Sequence, residues 1–161
     1  MLLEIIQASN FTLGQMFRQR VSEYGSKVLF QEIRERRLKK HTWAEIDRRV
    51  TAIARALLRF FRDEPALGPV AILSENSLEM ACIDVACLIT GVVNVPIPAN
   101  ATPQDIEFII CHSQAKLVFV SNRAQLDKVD EVRSKLCHVR HAVLIETGGP
   151  PPDDVLTFQQ F

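Results

Sequence analysis

The 161-residue chain carries nineteen basic and nineteen acidic side chains, and 47% of its residues are hydrophobic. That length suits one domain burying roughly 70% of the surface its unfolded form exposes, and the cancelled charge leaves no global field to collect nucleic acid or an anionic membrane. No stretch attains the ~20 uninterrupted apolar residues of a spanning helix, and Met1-Leu2-Leu3-Glu4-Ile5-Ile6 lacks the basic leader and long apolar core of an export signal, so a cytoplasmic setting with four free cysteine thiols is expected.

The first helix is announced by Thr12 and Gln15, spaced as a capping box, with Phe11 and Met16 as a hydrophobic staple. Leu13, Phe17, Val21 and Tyr24 share one face, and Gly25 ends the helix. Residues 28–33 and 37–41 read as a β-hairpin across the charged turn Arg34-Glu35-Arg36. A second capping box, Thr42 with Glu45, opens a helix through Arg62 whose core face is Ile46, Val50, Ile53, Leu57 and Phe61. Asp63-Glu64-Pro65 and Gly68-Pro69 break it.

Val70-Ala71-Ile72-Leu73 is then a strand apolar on both faces, which marks a parallel sheet covered on each side. A helix over residues 77–90 carries Met80, Ile83, Val85, Ala86, Leu88 and Ile89 almost right around its axis, so it must be covered on more than one side. Gly91 is its expected left-handed C′ residue. A strand follows at residues 92–95, ahead of Pro96 and Pro98. Thr102, Pro103 and Asp105 start the next helix, with Ile106, Ile109 and Ile110 toward the core. Residues 117–120 form a third parallel strand. A helix over residues 123–136 turns Leu126, Val129, Val132 and Leu136 inward, and residues 141–145 supply a fourth strand. Residues 147–154, with three consecutive prolines, form a loop or linker, and residues 155–161 begin another element. The fold class expected is α/β: a doubly wound, mainly parallel sheet with helices on both faces, plus an N-terminal helix and β-hairpin.

Chemistry-bearing candidates are few. Gly148-Gly149 is the sole glycine pair, but the prolines behind it lack N–H groups and no helix start follows directly, so it does not read as a phosphate cradle. Ligands of open parallel sheets lie beyond the carboxyl ends of the strands, which directs attention to Ser74-Glu75-Asn76-Ser77 and residues 96–100. There Ser77 suits a helix cap and Asn76 a turn. Cys111-His112, Cys137-His138 and His141 offer metal-ligand types, but the two groups lie some 25 residues apart rather than in compact knuckles. Cys82 and Cys87 fall on a buried helix, where cysteine behaves as a small hydrophobe. Arg34, Arg36, Arg37, Lys39 and Lys40 form the one basic run, diluted by Glu32 and Glu35 and read as a solvated hairpin face. Asp84, alone on an apolar helix, needs a hydrogen-bond partner if buried.

The succession Thr12-Leu13, Tyr24-Gly25, Thr42-Trp43-Ala44-Glu45-Ile46-Asp47, Val70-Ala71-Ile72-Leu73-Ser74-Glu75-Asn76-Ser77-Leu78-Glu79, Gly91-Val92-Val93-Asn94-Val95-Pro96-Ile97, Thr102-Pro103 and Ser113-Gln114-Ala115-Lys116 resembles the N-terminal region of the AMP-binding, adenylate-forming superfamily. It is most similar to the long-chain fatty acid CoA ligases (acyl-CoA synthetases). Met80 stands where that family often has tryptophan, and Pro98-Ala99-Asn100-Ala101 departs from its usual tyrosine-proline-threonine type of sequence.

The resemblance implies a two-step ligation: a carboxylate and ATP, with magnesium, give an acyl-adenylate and pyrophosphate, and the CoA thiol then displaces AMP. It implies a Ser/Thr/Gly-rich lysine loop, a threonine-glutamate pair, a ribose-binding aspartate and a mobile C-terminal lysine, none of which this chain contains. No catalytic, cofactor-binding or metal residue is therefore assigned, and no cofactor is expected in the fragment itself; ATP, magnesium and CoA belong to the full-length enzyme.

Residues 1–146 correspond to an N-terminal α/β subdomain, with the first helix and hairpin at 11–42 and the parallel part at 43–146, and residues 147–161 to a linker and the start of a truncated next element. The implied partner is the remainder of the same enzyme, with fatty acid, ATP and CoA bound by the whole and no nucleic acid. The apolar surplus allows self-association of the isolated chain, and peripheral membrane contact stays open. Two other readings remain: a stand-alone flavodoxin-like small-ligand module, and a non-catalytic assembly domain.

Overall fold

A computed structural model of the chain describes residues 12–34, 36–64, 66–146 and 152–161. The elements run α1 (Leu13–Tyr24), β1 (Val28–Arg34), β2 (Arg37–Thr42), α2 (Trp43–Phe60), β3 (Val70–Ser74), α3 (Leu78–Thr90), β4 (Asn94–Pro98), α4 (Pro103–Ser113), β5 (Leu117–Val120), α5 (Arg123–Val132), a 3₁₀ turn (Arg133–Lys135), β6 (His141–Leu144) and β7 (Val155–Thr157). β1 and β2 pair antiparallel as a separate hairpin, while the other strands form one parallel sheet in the order β4-β3-β5-β6-β7.

The period-two alternation of the strands divides the core. Val70 and Ile72, Leu117 and Phe119, and Val143 point into one apolar layer, together with Ile46, Val50 and Leu57 of α2 and Ile83 and Ala86 of α3. Ala71 and Leu73, Val118 and Val120, and Ala142 and Leu144 point into a second, beneath Ile106 and Ile110 of α4 and Leu126 and Val129 of α5. The apolar residues of β3, β5 and β6 thus alternate between the two layers, and β3 is buried along its whole length. The sheet is doubly wound, as the apolar runs demand. Among the described residues no helix is long and apolar enough to cross a membrane.

Both expected capping boxes form, Thr12 with Gln15 and Thr42 with Glu45, and a third joins Thr102 to Asp105 behind Pro103. The apolar helix α3 is covered on several sides, by the sheet, by α2 and by α1. Gly14 lets α1 approach, since a Cβ there would stand 3.2 Å from Ile89 Cα. Gly91 adopts φ 76° and ends α3 in the left-handed conformation. Asp84 is satisfied, accepting from Asn94 Nδ2 at 2.6 Å.

Several boundaries differ from the sequence reading. The strand expected at residues 92–95 lies at Asn94–Pro98, because Val92 N still bonds Cys87 O at 3.1 Å as part of the helix end. Pro96 and Pro98 sit inside that strand, which is tolerated because β4 is an edge strand with a neighbour on one side. α2 stops at Phe60, and Phe61 instead packs into the core. The last helix tightens to a 3₁₀ turn after Val132, although Leu136 remains buried. Gly25 does end α1, but at φ −45° and without a left-handed turn. Leu13, expected on the core face of α1, is 57% exposed, and Phe17 carries that contact.

Residues 155–157 join the main sheet beside β6, and Thr157 and Gln160 then exchange backbone-to-side-chain bonds of 2.8 and 3.2 Å, the pattern of a capped first helical turn. The Phe11 half of the staple, the apolar segment 1–6, Glu35, Pro65 and Gly148-Gly149 lie outside the described residues.

Candidate functional site: the carboxyl edge of the sheet

From β3 the chain goes first to β4 on one side and then to β5 on the other, so the strand order reverses between β3 and β5. Open parallel sheets bind ligands in the crevice beyond this switch point. Here Glu75 follows β3, Ser121 and Asn122 follow β5, and Ala99 follows β4.

These loops close on one carboxylate. Glu75 accepts hydrogen bonds from Ser121 Oγ at 2.5 Å, Gln125 Nε2 at 2.9 Å and Asn122 Nδ2 at 3.4 Å. The buried Gln125 amide also donates to Ala99 O at 3.1 Å, and Lys128 Nζ donates to Ala99 O at 2.7 Å and to Ala101 O at 3.2 Å. Three loops and the first turns of α5 are thereby tied together. The Ser121 hydroxyl, then hydrogen bonding to the backbone, hold the Glu75 carboxyl below the usual carboxylate range, with burial opposing and the two amides adding to the effect.

An ionised carboxylate whose oxygens are occupied by neutral donors is poorly suited to proton transfer near neutral pH. Its negative charge also disfavours a bound anion at this edge. The helix ends beside it are already capped: Asn122 Oδ1 accepts from Gln125 N at 3.1 Å, and Ser77 Oγ accepts from Met80 N at 3.1 Å. Gln125 Oε1 is buried with no protein partner. The arrangement is a clamp between loops.

Of the residues singled out in the sequence, Ser77 caps α3 and Ser74 Oγ donates to Glu75 O at 2.6 Å. Glu75 is among the residues the sequence singles out, but its partners Ser121, Asn122 and Gln125 are not. The clamp's signal was the polar pair Ser121-Asn122 directly behind an unbroken apolar strand, matched by Glu75 behind β3, both at carboxyl strand ends.

The remaining candidates do not gather at this edge. Cys82 and Cys87 are buried, and burial pushes their thiols up to about 11 and about 12, so both stay protonated and unreactive. Cys111 Sγ donates to Lys135 O at 3.5 Å, Cys137 is exposed, and His141 packs edge-on against Phe60. Among the described residues no group of three or more His, Cys, Asp or Glu side chains is placed to hold a metal ion. Arg36, Arg37, Lys39 and Lys40 are exposed on the hairpin, where His41 is buried and pairs with Glu32 at 3.2 Å.

Two clefts accompany the site. One of about 480 Å³ runs along α2, between Arg49, Arg55, Arg59 and the aromatic pair Phe158 and Phe161. Another of about 460 Å³ separates β1 from the start of α3.

A family model described as AMP-binding enzyme matches residues 17–160. A long-chain-fatty-acid–CoA ligase of Xenopus laevis is 22% identical over 129 residues, covering 80% of this chain and 17% of that protein. Among solved structures, a Rhodopseudomonas palustris protein assigned as a long-chain-fatty-acid CoA ligase superposes with a TM-score of 0.77 at 24% identity, over 94% of this chain and 36% of its own. Acetoacetyl-CoA synthetase of Streptomyces lividans superposes with a TM-score of 0.80 at 17% identity, over 92% and 24%. The chain therefore spans a minor part of each relative's length, and the superpositions establish a shared fold.

Proposed function

The chain belongs to the AMP-binding enzyme family, and from that premise we propose that it is the scaffold portion of a fatty acid CoA ligase, inactive when alone. The whole enzyme would activate a fatty acid as its acyl-adenylate and transfer the acyl group to CoA. The family match over residues 17–160 and the Xenopus relative support the adenylate-forming ligase class.

The observation that carries the scaffold role is the Glu75 clamp across the crevice. A triphosphate and its metal need free N–H donors, cations and unoccupied carboxylate oxygens. Glu75 offers negative charge already shared with the Ser121 and Gln125 donors, Lys128 donates to two carbonyls, and the flanking helix ends carry their own side-chain caps. The residues present do not fit ATP and magnesium, and no catalytic step is routed through them. What they do is hold the β3, β4 and β5 loops in fixed relation, so that the edge of the sheet is a firm wall.

Acyl-hydroxamate formation with ATP, magnesium and a long-chain fatty acid tests the proposal. The 161-residue chain should yield none, and its melting temperature should not move with magnesium-ATP. Turnover, or a saturable ATP-dependent rise in stability, would refute it. The strand order favours a second reading, a flavodoxin-like binding module. That reading requires a ligand to displace the Glu75 clamp, and a stabilising hit from a cofactor screen would support it.

A further inference from the structure

The β1–β2 hairpin pairs with no strand of the main sheet, and an exposed apolar pair lies near its tip among cations. Ile33 and Leu38 are cross-strand partners, 80% and 56% exposed. Arg36, Arg37, Lys39 and Lys40 are all exposed nearby; alternation puts Lys40 on the face of Ile33 and Leu38 and Arg37 and Lys39 on the other, with Lys39 across from Glu32. Glu32, the carboxylate among the hairpin's described residues, is engaged by the buried His41 at 3.2 Å. Residues 28–42 hold five cations against two carboxylates in a chain of zero net charge, so the positive field is local to this hairpin.

We propose that the tip of the β1–β2 hairpin is a docking surface for an anionic lipid bilayer. Two adjacent aliphatic side chains enter the headgroup boundary while the flanking cations meet acidic headgroups, the division of labour by which peripheral elements bind membranes reversibly. The paired Ile33 and Leu38 provide no aromatic platform on which bases would stack, so the chemistry favours lipid over single-stranded nucleic acid. The hairpin suits the task mechanically, because its tip lies at the end remote from Thr42, where β2 runs directly into the capped start of α2. This inference does not rest on ligase activity, and its test needs no turnover.

Sedimentation of the chain with phosphatidylcholine vesicles, with and without phosphatidylserine, should show binding that requires phosphatidylserine and fades as salt shortens the Debye length. Arg37→Gln with Lys40→Gln should weaken the partition coefficient about thirtyfold, from roughly fivefold per cation. Ile33→Ser with Leu38→Ser should weaken it while leaving the circular dichroism melt unchanged, since both side chains are exposed. Equal binding to both vesicle types, no binding, or binding unmoved by either double variant would overturn the proposal. Retained binding by Ile33→Ser/Leu38→Ser, fully competed by a single-stranded oligonucleotide, would overturn it in favour of a polyanion site. Arg62→Gln, an exposed cation beyond α2, serves as the control that should not change binding.

Discussion

Glu75→Ala should cost stability in a way that depends on pH and on Ser121. The substitution removes the acceptor of two donors on nearly buried residues, Ser121 at 2.5 Å and Gln125 at 2.9 Å; the Asn122 bond, at 3.4 Å, adds little. Hydrogen bonds to a charged group are worth about 1.5–3 kcal/mol each when secluded, but this carboxylate is exposed to solvent, which reduces the pair to about 1–2 kcal/mol in total. For a chain of this size that lowers the melting temperature by roughly 3–6 °C. The folded protein holds the Glu75 carboxyl below its unfolded value. Its contribution is therefore complete above the unfolded carboxylate range and disappears as pH falls through the folded value. Urea unfolding of wild type, Glu75→Ala, Ser121→Ala and the double variant, at neutral pH and near pH 3, measures both effects. The double-mutant cycle should give a coupling of about 0.5–1.5 kcal/mol at neutral pH that collapses in acid. A coupling within error of zero, or one that persists unchanged in acid, would refute the clamp.

Thr42→Ala should destabilise by about 1 kcal/mol, because it opens the capping box of α2 at the point where β2 ends; the urea midpoint measures it. Gly91→Ala meets no neighbour within 4 Å, so its cost of about 1–2 kcal/mol comes from the left-handed φ of 76° alone, and glycine-to-asparagine should recover part of it. Leu57→Ala, fully buried between α2 and the sheet, should cost about 2–5 kcal/mol in chemical denaturation. Thiol titration at pH 8 should label Cys137 quickly and Cys111 more slowly, while Cys82 and Cys87 react after unfolding; rapid labelling of all four would contradict the burial of α3.

The layer structure was legible because strands apolar on both faces admit few alternatives. Val70 to Leu73 and Leu117 to Val120 each had to be covered twice, and α3, apolar around its axis, had to lie between other elements. Caps were equally legible, since Thr12, Thr42, Ser77 and Thr102 act within three residues of themselves. Boundaries that depend on a distant partner were harder to place. Whether Pro96 belongs in a strand depends on β4 lying at an edge, which the local sequence does not state. The Glu75 clamp joins residues 46 to 50 positions apart in the chain, so no local spacing announces it. Residues 155–157 were too short to identify without the β6 edge they complete.

The same geometry makes the crevice at this switch point a poor anion site. A switch point bounded by glycine leaves backbone N–H groups facing outward, and an anion can settle against them. Here β3 ends in Ser74 and is followed by Glu75, and β5 is followed by Ser121 and Asn122, so each exit supplies side chains that satisfy its neighbour instead. Replacing Glu75 with alanine would leave the Ser77 and Asn122 caps in place, each holding one first-turn N–H of its helix. The loops at the carboxyl edge are fixed by bonds the chain makes to itself, which is what the proposed scaffold role requires.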